Sequence, residues 1–256
     1  MRVITFAIQK GGTGKTSNAY SVAVELAEKG KKVLVVDADP QGNATTWSGI
    51  EEINKELSDV LLKICDVSEA ITKTSIENLD FLPTASVGGS LKIYSKKNAI
   101  GAPFAIRHLL KPIRENYDYC IIDTSPAFGA LEESCFLESD EVIPVLKMDE
   151  FSKDGLEAFI HSLNELKENY DSDKPQIKKL ILNERDLRLP QQENYLGMLK
   201  SAAEQFQLKV YIVPVDQSFK KGQEVHIPIQ YLSSTKKETL NTIAEVASDL
   251  MEVSNE

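Results

Sequence analysis

Short, almost continuously apolar runs alternate along the chain with longer stretches whose apolar residues recur at helical spacing. Residues 2–8, 32–37, 79–83, 119–123, 141–145, 179–183 and 210–213 read as strands, several of them buried on both faces. Residues 15–29 place Ala19, Val22, Ala23 and Leu26 on one side of a helix. Residues 153–169 do the same with Leu156, Phe159, Ile160, Leu163 and Leu166. Pro190 suits a helix start for residues 190–205, and a last helix is expected over 236–253. The alternation predicts an α/β fold: one domain over residues 1–256, with a mostly parallel, doubly wound sheet and helices on both faces. Ligands then belong at the carboxyl ends of the strands. No repeat or interdomain linker interrupts the pattern, and residues 47–101 are its least regular part.

The first strand runs into Gln9-Lys10-Gly11-Gly12-Thr13-Gly14-Lys15-Thr16-Ser17, followed by a helix. The pattern GxxxxGK[ST] would need glycine at position 9, where this chain has glutamine. The physics of a phosphate cradle survives that change. Glycines let the backbone turn tightly and aim successive N–H groups inward, and the helix adds its positive end. Lys15 is placed to reach the β- and γ-phosphates, and the Thr16 hydroxyl to ligate Mg²⁺. The loop as a whole, Lys10 through Ser17, is therefore the expected ATP site.

Two later strands end in carboxylates. The second gives Val36-Asp37-Ala38-Asp39-Pro40-Gln41-Gly42-Asn43, and a later one gives Ile121-Ile122-Asp123-Thr124-Ser125-Pro126. Taken alone, an Asp-x-Asp pair is more often a helix-capping or loop feature than a catalytic one. Both acids nevertheless fall at the sheet edge that carries the phosphate loop. Asp123, after four apolar strand residues, has the placement of an acid aimed at Mg²⁺, usually through water. The strand at 179–183 ends in Asn183, whose amide can donate to and accept from an adenine edge, although taken alone a loop asparagine is more often a cap of the next helix.

The sequences KGGTGKT and VDADPQGN closely resemble the corresponding motifs of the ParA/Soj DNA-partitioning ATPases, members of the deviant Walker family with MinD and the nitrogenase iron protein. The similarity extends to Asp140–Val145 and to Glu150-Phe151. It implies a Mg²⁺-dependent ATPase that cycles between ATP and ADP and turns over slowly until stimulated. It also implies that Lys10 reaches across a homodimer to the partner's nucleotide and steadies charge on the transferred phosphoryl group, as an arginine finger does. By the same resemblance Asp39 positions or activates the attacking water, and Asp37 supports the metal's outer shell. Adenine contacts fall at Asn183 and at the turn holding Pro214 and Val215, where relatives carry Pro-Arg. Relatives often read DxPP after the metal acid, where this chain has DTSP.

Charge refines the choice among branches of that family. The net charge is -10, yet residues 174–237 hold eleven Lys/Arg against six Asp/Glu, a balance of +5 on an acidic body. The stretch Glu184-Arg185-Asp186-Leu187-Arg188 resembles the segment before the DNA-facing helix of ParA proteins. Arg185, Arg188, Lys220 and Lys221 are therefore the first candidates for non-specific DNA contacts, with Lys178, Lys179, Lys236 and Lys237 behind them. A ParB-like centromere-binding activator is the implied partner. The acidic last residues 245–256 would be repelled by anionic lipid, which disfavours membrane cycling of the MinD type. Cys65, Cys120 and Cys135 show neither CxxC spacing nor a paired cluster pattern, so free thiols are expected. The apolar run at 3–8 is too short for a signal peptide, no DNA-binding extension precedes it, and a cytoplasmic location follows. A second reading stands beside partitioning: a switch of the same fold that recruits a protein cargo rather than DNA.

Overall fold

A computed structural model describes residues 1–97 and 99–252. Its first half begins with β1 (Arg2–Ala7), α1 (Lys15–Glu28), β2 (Val33–Ala38) and α2 (Asn43–Trp47). Two short helices follow, α3 (Leu57–Leu61) and α4 (Val67–Ala70), then β3 (Thr72–Lys73), β4 (Leu79–Leu82), α5 (Leu91–Lys97) and α6 (Ala105–Leu110). The second half has β5 (Tyr119–Thr124), α7 (Ala130–Glu138), β6 (Glu141–Lys147) and α8 (Ser152–Asn169). It finishes with β7 (Lys179–Arg185), α9 (Gln191–Gln205), β8 (Lys209–Pro214), α10 (Ser218–Val225) and α11 (Lys237–Glu252).

The strands form one eight-stranded sheet in the order β3-β4-β2-β5-β1-β6-β7-β8. All neighbours are parallel except the edge pair β3–β4. Alternate side chains sort to opposite faces, as strand geometry requires. Ile4, Phe6, Val35, Ile121, Ile181 and Val213 join the core beneath α1 and α11. Val3, Leu34, Val36, Cys120 and Ile122 face the cluster under α3–α7, and Val142, Leu180 and Leu182 the cluster under α7–α9. This is why the runs read as continuously apolar.

The seven expected strands and the long helices lie within two residues of the boundaries read from sequence. The helix expected to reach Val253 is described to Glu252; residues 253–256 lie outside the described residues. The irregular region holds α3, α4, α5 and the unforeseen β3, a two-residue antiparallel edge pair too short to give a period. Among the described residues no helix is long and apolar enough to cross a membrane. The three cysteines are free, Cys120 and Cys135 being buried.

Candidate functional site

Parallel strands deliver their carboxyl ends to one edge, and every chemically suggestive motif sits there. The phosphate loop follows β1, Asp39 follows β2, Asp123 stands near the end of β5, Asp149 follows β6, and Asn183 lies near the end of β7. A cleft of about 640 Å³ lies over this edge, lined by Gly11–Ser17, Asp39, Pro126, Asn183 and Val215.

The loop adopts backbone angles that favour glycine, with φ of +69° at Gly12 and +95° at Gly14. Gly14 is also the N-cap of α1, and no side chain caps that helix end or places an acid in its first turn. The first N–H groups are therefore left for an anion. A Cβ at Gly14 would stand 2.1 Å from Asn183 Nδ2, so glycine is required there by space as well as by φ. Lys15 is only 6% exposed, and its Nζ donates to the Lys10 carbonyl at 3.0 Å. Burial pulls its pKa down, while the nearby Asp123 and Asp39 carboxylates favour its charged form.

Asp37 and Asp123 are register partners on β2 and β5, so two buried carboxylates lie side by side. They differ in how they are satisfied. Asp37 accepts from the backbone N–H and hydroxyl of Thr45, at 2.8 and 2.7 Å, and from Asp39 N at 3.3 Å. Its oxygens are thereby engaged in pinning α2 and the Asp39 loop. Neither Asp123 oxygen completes a hydrogen bond with the protein. Burial raises the pKa of Asp123 and the Asp37 charge adds to it; the Thr16 hydroxyl and Lys15 pull the other way. An orphaned buried carboxylate beside a hydroxyl and a phosphate cradle fits a divalent cation. Among the described residues no three His, Cys, Asp or Glu side chains gather into a complete metal set.

Asp39 is buried at the cleft wall and accepts from Gln41 N at 2.9 Å. Asn183 donates from Nδ2 to the Thr13 carbonyl at 2.8 Å, and its buried Oδ1 has no partner. One N–H of its amide braces the loop, and the unpartnered Oδ1 is available to a ligand. A bulge after Leu182, with Glu184 at φ +58°, brings Arg185 opposite Pro214; Val215 N donates to the Arg185 carbonyl at 2.9 Å. Asp216 then fastens this turn, accepting from Ser218 N, Lys236 N and the Thr239 hydroxyl.

Lys10 sits on the rim with its Nζ 2.5 Å from Asp149 Oδ2. Asp149 was not singled out from sequence, although it stands three residues before Ser152 and accepts from both Phe151 N and Ser152 Oγ. The turn that Asp149 makes ahead of α8 also anchors the lysine. Gln223 was missed as well; it lines the cleft and donates to Ser17 Oγ at 3.3 Å, without any sequence motif to mark it.

The DNA candidates do not form one surface. Lys179 begins β7 and Lys178 precedes it, so both lie at the opposite edge of the sheet from the cleft. Lys179 is a correction: it is buried and ion-paired with Glu141 at 3.0 Å, beneath Arg2. Arg185, Arg188, Lys220, Lys221 and Lys236 gather at the carboxyl edge. Several are engaged within the chain: Arg185 pairs with Glu193, Arg188 with Asp186 at 2.7 Å, Lys220 with Glu224 at 3.9 Å, and Lys236 Nζ with the Val215 carbonyl.

The chain is similar to known proteins in both sequence and fold. A family model described as an AAA domain matches residues 1–178. The chain is 31% identical over 258 residues to the virulence plasmid ParA family protein pGP5-D of Chlamydia psittaci, covering 98% of this chain and 96% of that one. It is 32% identical over 176 residues to the sporulation initiation inhibitor protein Soj of Bacillus subtilis, covering 67% and 68% respectively. The fold superposes with a TM-score of 0.84 on a Cyanothece McdA–ATP complex, at 20% identity over 98% of this chain and 96% of that one.

Proposed function

The chain belongs to the ParA family of partitioning and positioning ATPases, and on that premise we propose that it is a DNA-partitioning switch driven by ATP. The observation that carries this reading is the meeting of an uncapped, glycine-turned helix start with the unpartnered Asp123 carboxylate and the rim-held Lys10.

In this reading the N–H groups of Gly11–Thr16 and Lys15 hold the triphosphate. The Thr16 hydroxyl and Asp123 hold Mg²⁺, with Asp37 contributing charge from behind. When bound, Mg²⁺ would supply positive charge that neutralises the phosphates. Asp39 orients the attacking water, and the Asn183 Oδ1 with the Pro214-Val215 turn receives the adenine. Lys10 leaves Asp149 and crosses to the nucleotide of a second copy, so the ATP-bound form is a homodimer. That dimer binds DNA without sequence preference through Arg188, Lys220 and Lys221, and a ParB-like activator triggers hydrolysis and release. No chemistry here requires a membrane.

The second reading, recruitment of a protein cargo in place of DNA, is favoured by the ion pairs that neutralise Arg185 and Arg188 and by the net charge of -10. A mobility-shift assay with ATP and with ADP separates the two. If four phosphates are neutralised, affinity falls about a hundredfold between roughly 50 and 200 mM salt. ATP-bound protein that shows no salt-sensitive DNA binding leaves the cargo reading standing.

A further inference from the structure

Helix α10 forms part of the wall of the nucleotide cleft and is tied to elements on either side of it. Phe219, Lys220 and Gln223, at helical spacing, line the cleft. A second stripe, Ser218 and Gly222, is buried. Gly222 lies against Trp47, the chain's single tryptophan. A Cβ at Gly222 would stand 3.2 Å from Trp47 Cζ2 and 2.6 Å from the Ile227 carbonyl oxygen. Trp47 Nε1 donates to that same carbonyl at 3.0 Å, and His226 Nδ1 lies 2.7 Å from the Thr46 carbonyl oxygen. Helix α10 is thereby locked to α2, which Asp37 in turn pins through the backbone N–H and hydroxyl of Thr45.

Gln223 joins this unit to the phosphate loop. Its side chain is exposed, and Nε2 donates to Ser17 Oγ at a long 3.3 Å. Ser17 is the third residue of α1, and Asn18 N donates to the carbonyl of Gly14, the N-cap. By helix geometry the Ser17 N–H precedes the first intrahelical bond and is one of the donors left for an anion. With Lys15 placed for the β- and γ-phosphates and Thr16 for the metal, the Ser17 end of the loop falls to the α-phosphate. An anion there lies within reach of an amide already bonded to the hydroxyl of the same residue. That amide has a second N–H to give. A long bond between neutral, exposed partners is readily exchanged for one to a charged acceptor.

We propose that Gln223 is a nucleotide-binding residue whose amide closes on the α-phosphate, and that α10 thereby registers an occupied cleft at Trp47. This role rests on the ATP-site reading above and deepens it. ADP and ATP share the α-phosphate, so α10 answers to occupancy rather than to the γ-phosphate.

The test titrates the full chain with ADP or ATP in the presence of Mg²⁺, read by calorimetry and by Trp47 emission. Gln223→Ala should weaken ADP binding about tenfold. Gln223→Glu sets a carboxylate against the phosphate and should cost about tenfold more. Trp47 emission should shift in wild type on saturation with either nucleotide, and should not shift in saturated Gln223→Ala. Because Gln223 is exposed, both variants should keep the wild-type urea midpoint without nucleotide. A midpoint that falls together with affinity would make Gln223 a structural prop and overturn the assignment. ADP affinity unchanged in both variants overturns it while leaving the ATP site intact. Emission that shifts with ATP but not ADP, or that still shifts in saturated Gln223→Ala, overturns the sensing role. Wild-type protein that binds neither nucleotide overturns the ATP-site reading itself and the role of Gln223 with it.

Discussion

Lys10 Nζ lies 2.5 Å from Asp149 Oδ2, joining the phosphate loop after β1 to the start of α8 after the adjacent strand β6. Both side chains are more than a third exposed, at 38% and 37%, so the pair is worth at most about 1 kcal/mol. It can park the lysine without trapping it. Asp149→Asn should therefore tighten ATP-dependent self-association by no more than about fivefold, read by sedimentation velocity. Complete loss of the ATP-dependent dimer in that variant would contradict a parking role. Lys10→Ala should keep nucleotide binding and lower partner-stimulated hydrolysis about 10²–10³-fold.

Asp123 gives a trade-off between stability and function. Its carboxylate is buried, unpartnered and beside Asp37, so without a cation it opposes folding. Asp123→Asn should raise the stability of the nucleotide-free protein by about 1–3 kcal/mol at neutral pH while weakening Mg²⁺–ATP binding. Because burial raises the folded pKa, the wild-type penalty exists only where the unfolded group is ionised. The gap between the two proteins should close as pH falls toward about 4. Urea unfolding across that range, with calorimetric titration of Mg²⁺–ATP, reads both effects. A variant less stable than wild type at neutral pH would show that Asp123 has a structural partner.

The fold was legible because strands buried on both faces announce themselves as apolar runs, and the carboxyl-edge motifs follow from strand order. What escaped depends on tertiary partners. Lys179 looks like any surface lysine until Glu141 and Arg2 are seen around it beneath the sheet. Arg185 reads as a member of a basic patch, yet a bulge at Glu184 turns it inward. Asp149 carries no catalytic motif, and only the adjacency of β1 and β6 brings it to Lys10. Asn183, read from sequence as a base contact, also braces the phosphate loop through the Thr13 carbonyl.

The contact between that asparagine and Gly14 yields a contrast within the phosphate loop. A Cβ at Gly14 meets Asn183 Nδ2 at 2.1 Å and φ there is +95°, whereas a Cβ at Gly11 meets nothing within 4 Å. Gly14→Ala should lower stability by about 1–3 kcal/mol, and Gly11→Ala should leave it within about 0.5 kcal/mol of wild type. Adding Asn183→Ala to Gly14→Ala relieves the collision and leaves the backbone strain, so the double variant should recover part of the loss. Thermal unfolding of the set decides the matter; equal losses at Gly11 and Gly14 would mean the loop is too mobile for the contact to count.

Asp216 links the base-side turn to overall stability. Burial works against its charged form, but two backbone N–H groups and the Thr239 and Ser218 hydroxyls outweigh it and hold the pKa below the usual carboxylate value. A carboxyl with a depressed folded pKa stabilises the protein above the unfolded value of about 3.9, and that stability is lost as pH falls through the folded value. Asp216→Ala should therefore be less stable than wild type at pH 7, by about 1–2 kcal/mol for the lost hydrogen bonds from Ser218 N, Lys236 N and the Thr239 hydroxyl. The difference should shrink steadily below about pH 4, where the wild-type carboxylate takes up its proton. Asp216→Asn keeps one acceptor and should fall between them. Denaturant titrations at neutral and acid pH measure this directly, and a constant difference between wild type and Asp216→Ala would mean that the side chain acts through packing rather than charge.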